Sequence, residues 1–539
     1  MRSFLILPAA LALIATTVSA QTDPTALSAT TKVLASPEFE GRAPGTAGET
    51  KTIAYLIDRF KAVGAKPAGP GGKWTQAVPL IHTRLDAKTT VAIGGTTFTP
   101  GTDINLTTVR PADRVRITAA PLVFVGYGVK APETGWDDFK GVDLRGKVAV
   151  FLVNDPDFEA TARDDAKGKF GDRRMTYYGR WTYKFEEAAR QGAVAALIVH
   201  DTGGAGYGWS TVNANQGENY DIVRGKSDPR VALQGWLEHD AADALFKRAG
   251  HDLAKLRVQA RSAAFTPVPL GIALDADIPV KVERLTSANM LAQVPGKRFP
   301  KETVQFGAHW DAYGKDPATG EIRPGANDDA LGVAGLIELA RQFAKGPRPD
   351  RTLVFTVWTG EERGLLGSEH YATHPVFPLA TTAANLTLDI MQTAGTAKDV
   401  VLVGAGQSTL EDMLADAART QGRVVTPETF SERGLFYRAD HFSVVRRGVP
   451  ALQLMALGGA NDMVAGGRAA GQKWLDGYMA CYHKGCDAWS PNWDLTGTAA
   501  DVDLFYAMGS KLANSRIWPE WKPGSEFAPI RAKTAKARQ

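Results

Sequence analysis

The sequence predicts an α/β fold, in which a three-layer α/β/α arrangement surrounds a mainly parallel mixed sheet and carries an inserted β-rich domain. Two observations predict it. From Val280 onward, short apolar runs alternate with amphipathic segments of helical period, as in a sheet covered by helices on both faces. Between about Ala119 and Phe265, strand-like runs are separated by glycine-rich turns, which is typical of a separate module.

The length of 539 residues, 44% of them hydrophobic, is enough for more than one core. We expect five regions, bounded by the changes in pattern. They are a signal peptide at 1–20, the N-terminal part of the main domain at 21–115, the insertion at 116–272, the larger part of the main domain at 273–525, and a basic tail at 526–539 that frays.

The first residues predict export. Arg2 precedes an apolar run from Phe4 to Ile14, and Val18-Ser19-Ala20 matches a small-residue cleavage site. We therefore expect a periplasmic or secreted protein with no membrane span after signal removal, since no later segment has the length of a span. Lys plus Arg (62) nearly balance Asp plus Glu (58), which argues against a nucleic-acid partner.

The individual elements follow in chain order. Two helices are predicted between Thr25 and Gly64, separated by a turn-rich loop at 41–46. In the module we expect strands at 121–127, 147–153 and 194–200 and a helix at 184–191. In the region 273–525 we expect strands at 304–307, 351–358 and 386–390 and helices at 333–344 and 366–373.

The two cysteines of the chain, Cys481 and Cys486, are five residues apart and enclose His483. An oxidising compartment favours a disulfide between such neighbours. We therefore expect a small loop that fixes the position of this histidine.

Potential metal ligands follow several predicted strands. His309 is followed two residues later by Asp311, and a metal-bound imidazole usually donates its other N–H to such a carboxylate. Asp328 and Asp329 open a helix, where they could either cap its N-terminus or bind cations.

Glu361 and Glu362 follow an apolar strand directly, and adjacent buried carboxylates are costly unless cations or donors compensate them. One of them can bind a metal while the other acts as a general base. Asp389 is predicted within another apolar strand. Together with the two histidines, these carboxylates form a nitrogen and oxygen donor set that suits zinc and similar metals.

As an ordered set, these motifs resemble the co-catalytic two-zinc exopeptidases, a family that includes secreted bacterial leucine aminopeptidases, glutamate carboxypeptidases and the transferrin receptor. The matching motifs are His309-x-Asp311, the loop 325–329, Gly360-Glu361-Glu362-x-Gly364, Asp389 and Cys481-Tyr482-His483-x-x-Cys486-Asp487. The resemblance covers nearly the whole mature chain. It implies the zinc exopeptidase fold, two Zn²⁺ ions per chain and peptide substrates.

The resemblance also implies a metal-binding role for five side chains. Asp328 would bridge both metals. His309 and Asp389 would complete one site, and Glu362 and His483 the other.

Four further residues receive roles by the same resemblance. Glu361 would be the general base, and Asp311 would orient the histidine at 309. Tyr482 resembles the phenol that helps to hold the oxyanion, and Arg438 resembles a substrate-contacting arginine. His441 is an alternative fifth ligand, but His483 lies in the pattern of the family's last-ligand loop.

The middle module resembles the protease-associated domain that is often inserted in this family, through its segments at 124–128, 146–150 and 188–193. Such a domain would shape or cover the cleft.

The sequence therefore predicts an exported metallo-exopeptidase, first of all an aminopeptidase that releases N-terminal residues. A carboxypeptidase or dipeptidase on the same fold is the main alternative, since Arg438 could clamp a substrate carboxylate. A single-zinc glutaminyl cyclase is disfavoured because no position of the two-metal set is missing. A non-enzymatic binding protein is disfavoured for the same reason.

Overall fold

The structure, a computed structural model, describes residues 21–86, 89–225, 228–316 and 319–538. The predicted signal peptide lies outside these ranges. The main helices are Pro24–Leu34, Ala47–Ala62, Trp181–Arg190, His239–Arg248, Leu253–Gln259, Leu331–Lys345, Leu366–Thr373, Leu410–Thr420, His441–Val445, Gly467–Cys481, Thr496–Ala513 and Ala528–Ala532. Within the described ranges, no helix combines the length and the apolar character that crossing a membrane requires.

Four parallel strands form the centre of the catalytic sheet, because each is followed by a helix that returns the chain to the same edge. In spatial order they are Ala451–Leu454, Thr382–Leu388, Phe299–His309 and Arg351–Trp358. The sheet continues through three antiparallel strands, which are the second half of Val268–Val294, then Thr75–Leu85, then Glu218–Ile222.

Both faces of this sheet are covered by helices. On one face, Leu331–Lys345 packs against Pro24–Leu34 and Thr496–Ala513, over a core that contains Phe306 and Phe355. On the other face, Leu366–Thr373 and His441–Val445 bury Trp358 and Tyr371. The predicted three-layer α/β/α class is confirmed.

A second sheet carries the insert. Its strands, in spatial order, are the first half of Val268–Val294, Arg114–Phe124, Val148–Leu152, Ala195–Val199, Leu233–Leu237 and Ile104–Thr107. Its core draws on residues from Leu85 to Val280, so strands within 91–107 pack with the insert, although we assigned them to the catalytic part. The exact domain boundaries stay a prediction.

Most predicted elements lie within two or three residues of the observed ones, with two differences that matter. The strand expected at 386–390 ends at Leu388, so Asp389 follows the strand instead of lying inside it. The basic tail was expected to fray, but Arg531 is 7% exposed and donates to the carbonyl oxygens of Leu379 and Thr382 at 3.2 and 2.9 Å. These hydrogen bonds hold the start of the tail against the catalytic domain.

A buried carboxylate joins three segments that pack on the catalytic sheet. Glu369, in the helix Leu366–Thr373, accepts two hydrogen bonds from Arg447 at 2.9 and 2.8 Å. It also lies 3.7 Å from Arg224, which follows the strand Glu218–Ile222 of that sheet. Burial alone would raise the pKa of Glu369, but Arg446 and Arg447 hold it below its ordinary value.

We expect Glu369→Gln to lower the free energy of unfolding by about 3 kcal/mol at neutral pH, because it leaves partly buried arginines without their charge partner. A carboxylate with a depressed pKa stabilises the fold above its unfolded-state pKa of about 4.3 and loses that contribution as pH falls. The difference from wild type should therefore shrink below about pH 4, which denaturant titrations at several pH values would measure. Asp277→Asn, at an exposed pair with Arg114, is the control and should have little effect; equal effects of the two changes would contradict this account.

Candidate metal centre

Potential ligands converge at the carboxyl end of the parallel sheet, where ligands bind in folds of this kind. His309 is the last residue of its strand, and Asp389 directly follows another. Glu362 lies four residues after the strand Arg351–Trp358. Asp328 belongs to the turn Ala326–Ala330 before a helix, and His483 follows the helix Gly467–Cys481.

The structure places these five side chains in two groups that share Asp328. One group contains His309, Asp328 and Asp389, and the other contains Asp328, Glu362 and His483, with the potential ligand atoms of each group within 4.8 Å of one another. Asp328 Oδ1 lies 3.0 Å from His309 Nε2, and Asp328 Oδ2 lies 3.3 Å from His483 Nε2. One carboxylate thus presents its two oxygens to two different imidazoles.

The donor set fits divalent cations. Burial raises the pKa of Glu362 to about 7 and raises the pKa of Asp389 and Asp329 above the ordinary range. Asp389 Oδ1 has no hydrogen-bond partner among the described residues. Such crowding of buried carboxylates is unfavourable unless positive charge compensates it, and nitrogen and oxygen donors at these spacings can bind cations that supply it.

Glu361 lies beside the two groups without belonging to either. Its Oε2 is 3.9 Å from His309 Nε2, and its side chain is 11% exposed. Burial raises its pKa well above the ordinary value, and the nearby Asp389 and Glu362 raise it further. This placement leaves the Glu361 carboxylate free to exchange a proton with a bound molecule.

Asp311 contacts His309 in a different way from the one expected. The Nδ1 atom of His309 lies 3.0 Å from the main-chain carbonyl oxygen of Asp311 and 3.8 Å from its carboxylate. The carboxylate instead accepts hydrogen bonds from the main-chain amides of Glu361 and Glu362, at 3.1 and 3.4 Å. The carbonyl orients the imidazole, and the side chain holds the glutamate loop.

Asp487 anchors the loop that carries the shared carboxylate, a role that the sequence did not reveal although the residue belongs to the last motif. Its side chain accepts hydrogen bonds from the amides of Asn327 and Asp328 at 3.0 and 3.1 Å. Burial raises its pKa to about 6. A disulfide between Cys481 and Cys486 closes the loop that carries His483. Asp487 directly follows this loop, so its hydrogen bonds hold the His483 loop against the loop of Asp328.

Tyr482 and Arg438, predicted to contact the oxyanion and the substrate, also lie close to the potential ligands. The ring of Tyr482 lies 3.6 Å, centroid to centroid, from that of His483, with 32° between the ring planes. Arg438 interacts electrostatically with Tyr482 and Glu361. His441 lies outside both groups: it is fully buried, packs edge-on against Phe436 and has its pKa lowered to about 3 by burial.

A second arginine near the centre was missed, because it comes from the insert, far away in sequence. Arg180 is 7% exposed and interacts electrostatically with Arg438 and Tyr207. Its Nε has no hydrogen-bond partner in the described part of the chain. Burial lowers its pKa to about 10.

Comparison with known proteins agrees with this geometry. The family model described as Peptidase family M28 matches residues 289–507, which include both groups of potential ligands. The domain that these residues form belongs to peptidase family M28. The matching domain begins inside the strand that the two sheets share and ends in the helix Thr496–Ala513.

Two curated relatives resemble part of this M28 domain. A probable zinc metalloprotease of Pyricularia oryzae is 42% identical over 103 residues, which is 19% of either chain. A vacuolar membrane protease of Schizophyllum commune is 38% identical over 98 residues, which is 18% of this chain and 10% of that protein. The matches thus span about a fifth or less of the length of these relatives.

Among solved structures, an aminopeptidase from Aneurinibacillus sp. strain AM-1 superimposes with a TM-score of 0.50 at 22% sequence identity. The superposition covers 92% of this chain and 95% of that one. The two proteins therefore share a fold that includes the inserted sheet.

We expect Asp311→Asn to weaken metal binding about 10- to 100-fold, the usual effect of removing a partner behind the ligands. The carboxamide oxygen of Asn cannot accept both main-chain hydrogen bonds as the two carboxylate oxygens do, so the potential ligand Glu362 would lose its fixed position. Metal affinity would be measured by competition with a chromophoric chelator. The control is Asp155→Asn, a buried carboxylate of the insert that accepts an amide hydrogen bond from Thr176; the interpretation fails if both variants bind metal alike.

Proposed function

We propose that the protein is a zinc-dependent exopeptidase and, in the first instance, an aminopeptidase with two zinc ions per chain. The observation that carries the proposal is the carboxylate of Asp328, whose oxygens face two separate groups of potential ligands. The name of the Pyricularia oryzae relative, a probable zinc metalloprotease, supports zinc as the metal. The arrangement favours two ions over one, which argues against the single-zinc glutaminyl cyclase.

The proposed ligand sets follow from these groups. His309, Asp328 and Asp389 would hold one ion, and Asp328, Glu362 and His483 the other. When bound, the pair would supply Lewis-acid chemistry, lowering the pKa of water and polarising a peptide carbonyl. No potential ligand of either set is missing, which argues against a purely binding role for the protein.

The remaining residues would perform the proton transfers and the positioning. Glu361 accepts a proton from the attacking water as the new C–O bond forms, and it returns that proton to the amine nitrogen as the C–N bond breaks. The Tyr482 phenol, which lies near Asp328 and Glu362, donates to the oxygen on which negative charge develops. Asp311 keeps Glu361 in place through its main-chain amide.

Negative charge around the centre favours a substrate with a free amino group. Asp440 is 2% exposed and interacts electrostatically with His309, Asp311 and Asp389. It adds a further carboxylate to those of the proposed ligands. A cationic α-amino group would be attracted to this region, which is the basis for preferring an aminopeptidase.

The proposed activity is tested with a panel of aminoacyl anilides, with and without a chelator. We expect hydrolysis that the chelator abolishes and that added zinc restores. Peptides with a blocked N-terminus should resist cleavage, because they lack the cationic amino group. Full hydrolytic rates after removal of divalent ions would refute the proposal.

We expect Glu361→Gln to lower kcat by about 10²- to 10⁴-fold, the range for loss of a general base. Glu361 belongs to neither group of ligands, so zinc content and affinity should stay near the wild-type values. Steady-state kinetics together with metal analysis would check both expectations. Unchanged turnover would show that another group carries the proton.

A carboxypeptidase or dipeptidase is the second candidate, and two neighbouring arginines favour it. Arg180 is buried and Arg438 is half-buried. No hydrogen bond or ion pair within the described ranges involves either guanidinium, although the two interact electrostatically. Cations removed from water without partners are costly, and a carboxylate of the substrate would offset that cost. Such a carboxylate would bind close to Glu361.

We expect a dipeptide such as Leu-Gly to have a KM at least about 10-fold lower than its C-terminal amide if this second function applies, since a charged hydrogen bond contributes about 1.5–3 kcal/mol. Arg180→Gln should remove that difference while leaving anilide hydrolysis unchanged. Arg190→Gln, at the far end of the helix that Arg180 precedes and paired with Glu187, is the control and should keep the difference. Equal KM values in the wild type would exclude the second function and leave the aminopeptidase standing.

Two further features of the proposal concern the insert and the location. We propose that the insert is a protease-associated domain that shapes the cleft, since it contributes Arg180 and Tyr207 near Arg438. We also propose that the protein is exported to the periplasm or the medium, on the basis of the N-terminal pattern and the disulfide between Cys481 and Cys486.

A further inference from the structure

Arg42 is a buried cation behind the metal centre. It lies in the loop between the first two helices and is 0% exposed. Its φ of +50° is in the left-handed region, and its neighbours Glu40 and Gly41 also have positive φ values, of +52° and +66°. Non-glycine residues in this region are strained, and they persist where the surroundings determine their conformation.

Four carbonyl oxygens bind the guanidinium of Arg42. Its Nε donates to Trp310 at 2.6 Å, and its Nη2 donates to Gly325 at 2.8 Å. Its Nη1 donates to both Leu34 and Pro324, at 2.9 and 2.6 Å. The planar fork of an arginine can satisfy several fixed acceptors at once, whereas a lysine presents one compact ammonium.

Three of these carbonyls, those of Trp310, Pro324 and Gly325, belong to the segments that carry the proposed ligands, and the fourth ends the first helix. Trp310 lies directly after His309, and Gly325 lies three residues before Asp328. One side chain therefore joins the His309 loop to the Asp328 loop. Between them, His309 and Asp328 provide a ligand to each proposed site, so their relative position determines the geometry of the pair.

The neighbouring glycine shows how closely this segment approaches. A Cβ atom on Gly41 would lie 2.6 Å from the carbonyl oxygens of both Gly314 and Arg323, so only glycine fits there. Residues 314–323 connect the His309 loop to the Asp328 loop. The segment around Arg42 thus contacts both ends of this connection, at Gly314 and Arg323.

Charge strengthens the same contact. Arg42 interacts electrostatically with four carboxylates around the centre, Asp487, Asp311, Asp329 and Asp328, which oppose the effect of burial on its pKa. The positive charge of the guanidinium therefore attracts these carboxylates, although Arg42 is not itself a potential metal ligand.

We propose that Arg42 is a positioning residue for the metal pair: by binding the carbonyls of Trp310 and Gly325, it sets the distance between His309 and Asp328 and so tunes metal affinity. This inference rests on the proposed two-metal function. A purely structural role would instead lower stability and leave metal affinity unchanged.

The chain offers a matched control at the opposite edge of the sheet. Arg351 is also 0% exposed, and it donates to two carbonyl oxygens, those of Leu512 and Ile517, both at 2.8 Å. It begins the strand whose other end leads to Glu361, so it is distant from the ligands. Arg351 also pairs with Glu302 at 2.8 Å, so its substitution removes an ion pair in addition to buried hydrogen bonds to carbonyl oxygens. It therefore tests the loss of a buried arginine away from the ligands.

The test compares Arg42→Lys and Arg42→Met with Arg351→Lys and Arg351→Met by chelator competition for zinc. We expect both Arg42 variants to lose about 10- to 100-fold in affinity, less for Lys than for Met, and both Arg351 variants to bind like wild type. Thermal unfolding of the metal-free proteins would show how much stability each change costs. Wild-type affinity in folded Arg42 variants would overturn the inference, whereas a wild type that binds no metal would instead refute the proposed function.

A measurement on the unmodified protein covers the case in which the Arg42 variants fail to fold. If Arg42 and the metal pair depend on each other, removing zinc must loosen the contacts of Arg42 in return. We expect the amides of residues 36–46 to exchange hydrogen faster in the metal-free protein, while those around Arg351 stay unchanged. Identical exchange of residues 36–46 with and without zinc would also overturn the inference.

Discussion

The shared carboxylate of Asp328 is the constraint on which the rest of the centre depends. Its two oxygens lie 3.0 and 3.3 Å from two imidazoles that come from segments more than 170 residues apart. A carboxylate can face two partners in this way only if its backbone is held firmly. The surrounding structure holds it with buried hydrogen bonds on several sides.

Carboxylates that accept hydrogen bonds from main-chain amides support several loops around the centre. Asp487 holds the loop of Asp328, and Asp311 holds the loop of the two glutamates. Asp329 accepts from the amides of His309 and Gly332, at 3.1 and 3.0 Å. A buried carboxylate that accepts two amide hydrogen bonds compensates part of its own desolvation and fixes the loop that donates them.

The potential ligands could be selected from the sequence because their chemistry is unusual for their setting. Acids within or just after apolar strands, such as Asp389 and Glu361, need a reason to be there, and the sheet brings strand ends together. Asp311 was also selected, but for a side-chain contact with His309 and not for the hydrogen bonds by which it holds the glutamate loop. Arg42 and Arg180 could not be selected in this way, because they act through main-chain atoms or distant segments and nothing in their local sequence distinguishes them from ordinary surface residues.

The domain organisation also combines features that local sequence patterns predict with features that depend on distant segments. The alternation of strands and helices was enough to predict the three layers, since it depends on local periodicity. Local periodicity could not predict which core residues 91–107 join, because these strands pair with segments at 233–237 and 274–276, far away in sequence. The docking of Arg531 likewise depends on carbonyls about 150 residues earlier.

The long strand Val268–Val294 has a mechanical consequence. Its 27 residues pair with Arg114–Phe124 at one end and with Arg351–Trp358 at the other, so one extended segment is common to both sheets. Swinging the insert away from the catalytic domain would require this strand to bend or to break its ladder hydrogen bonds. Irregular pairing between Pro269 and Ala276 marks where bending is easiest, inside the insert. Access to the cleft is thus expected to depend on local rearrangement of loops, with the two bodies keeping a nearly constant mutual orientation.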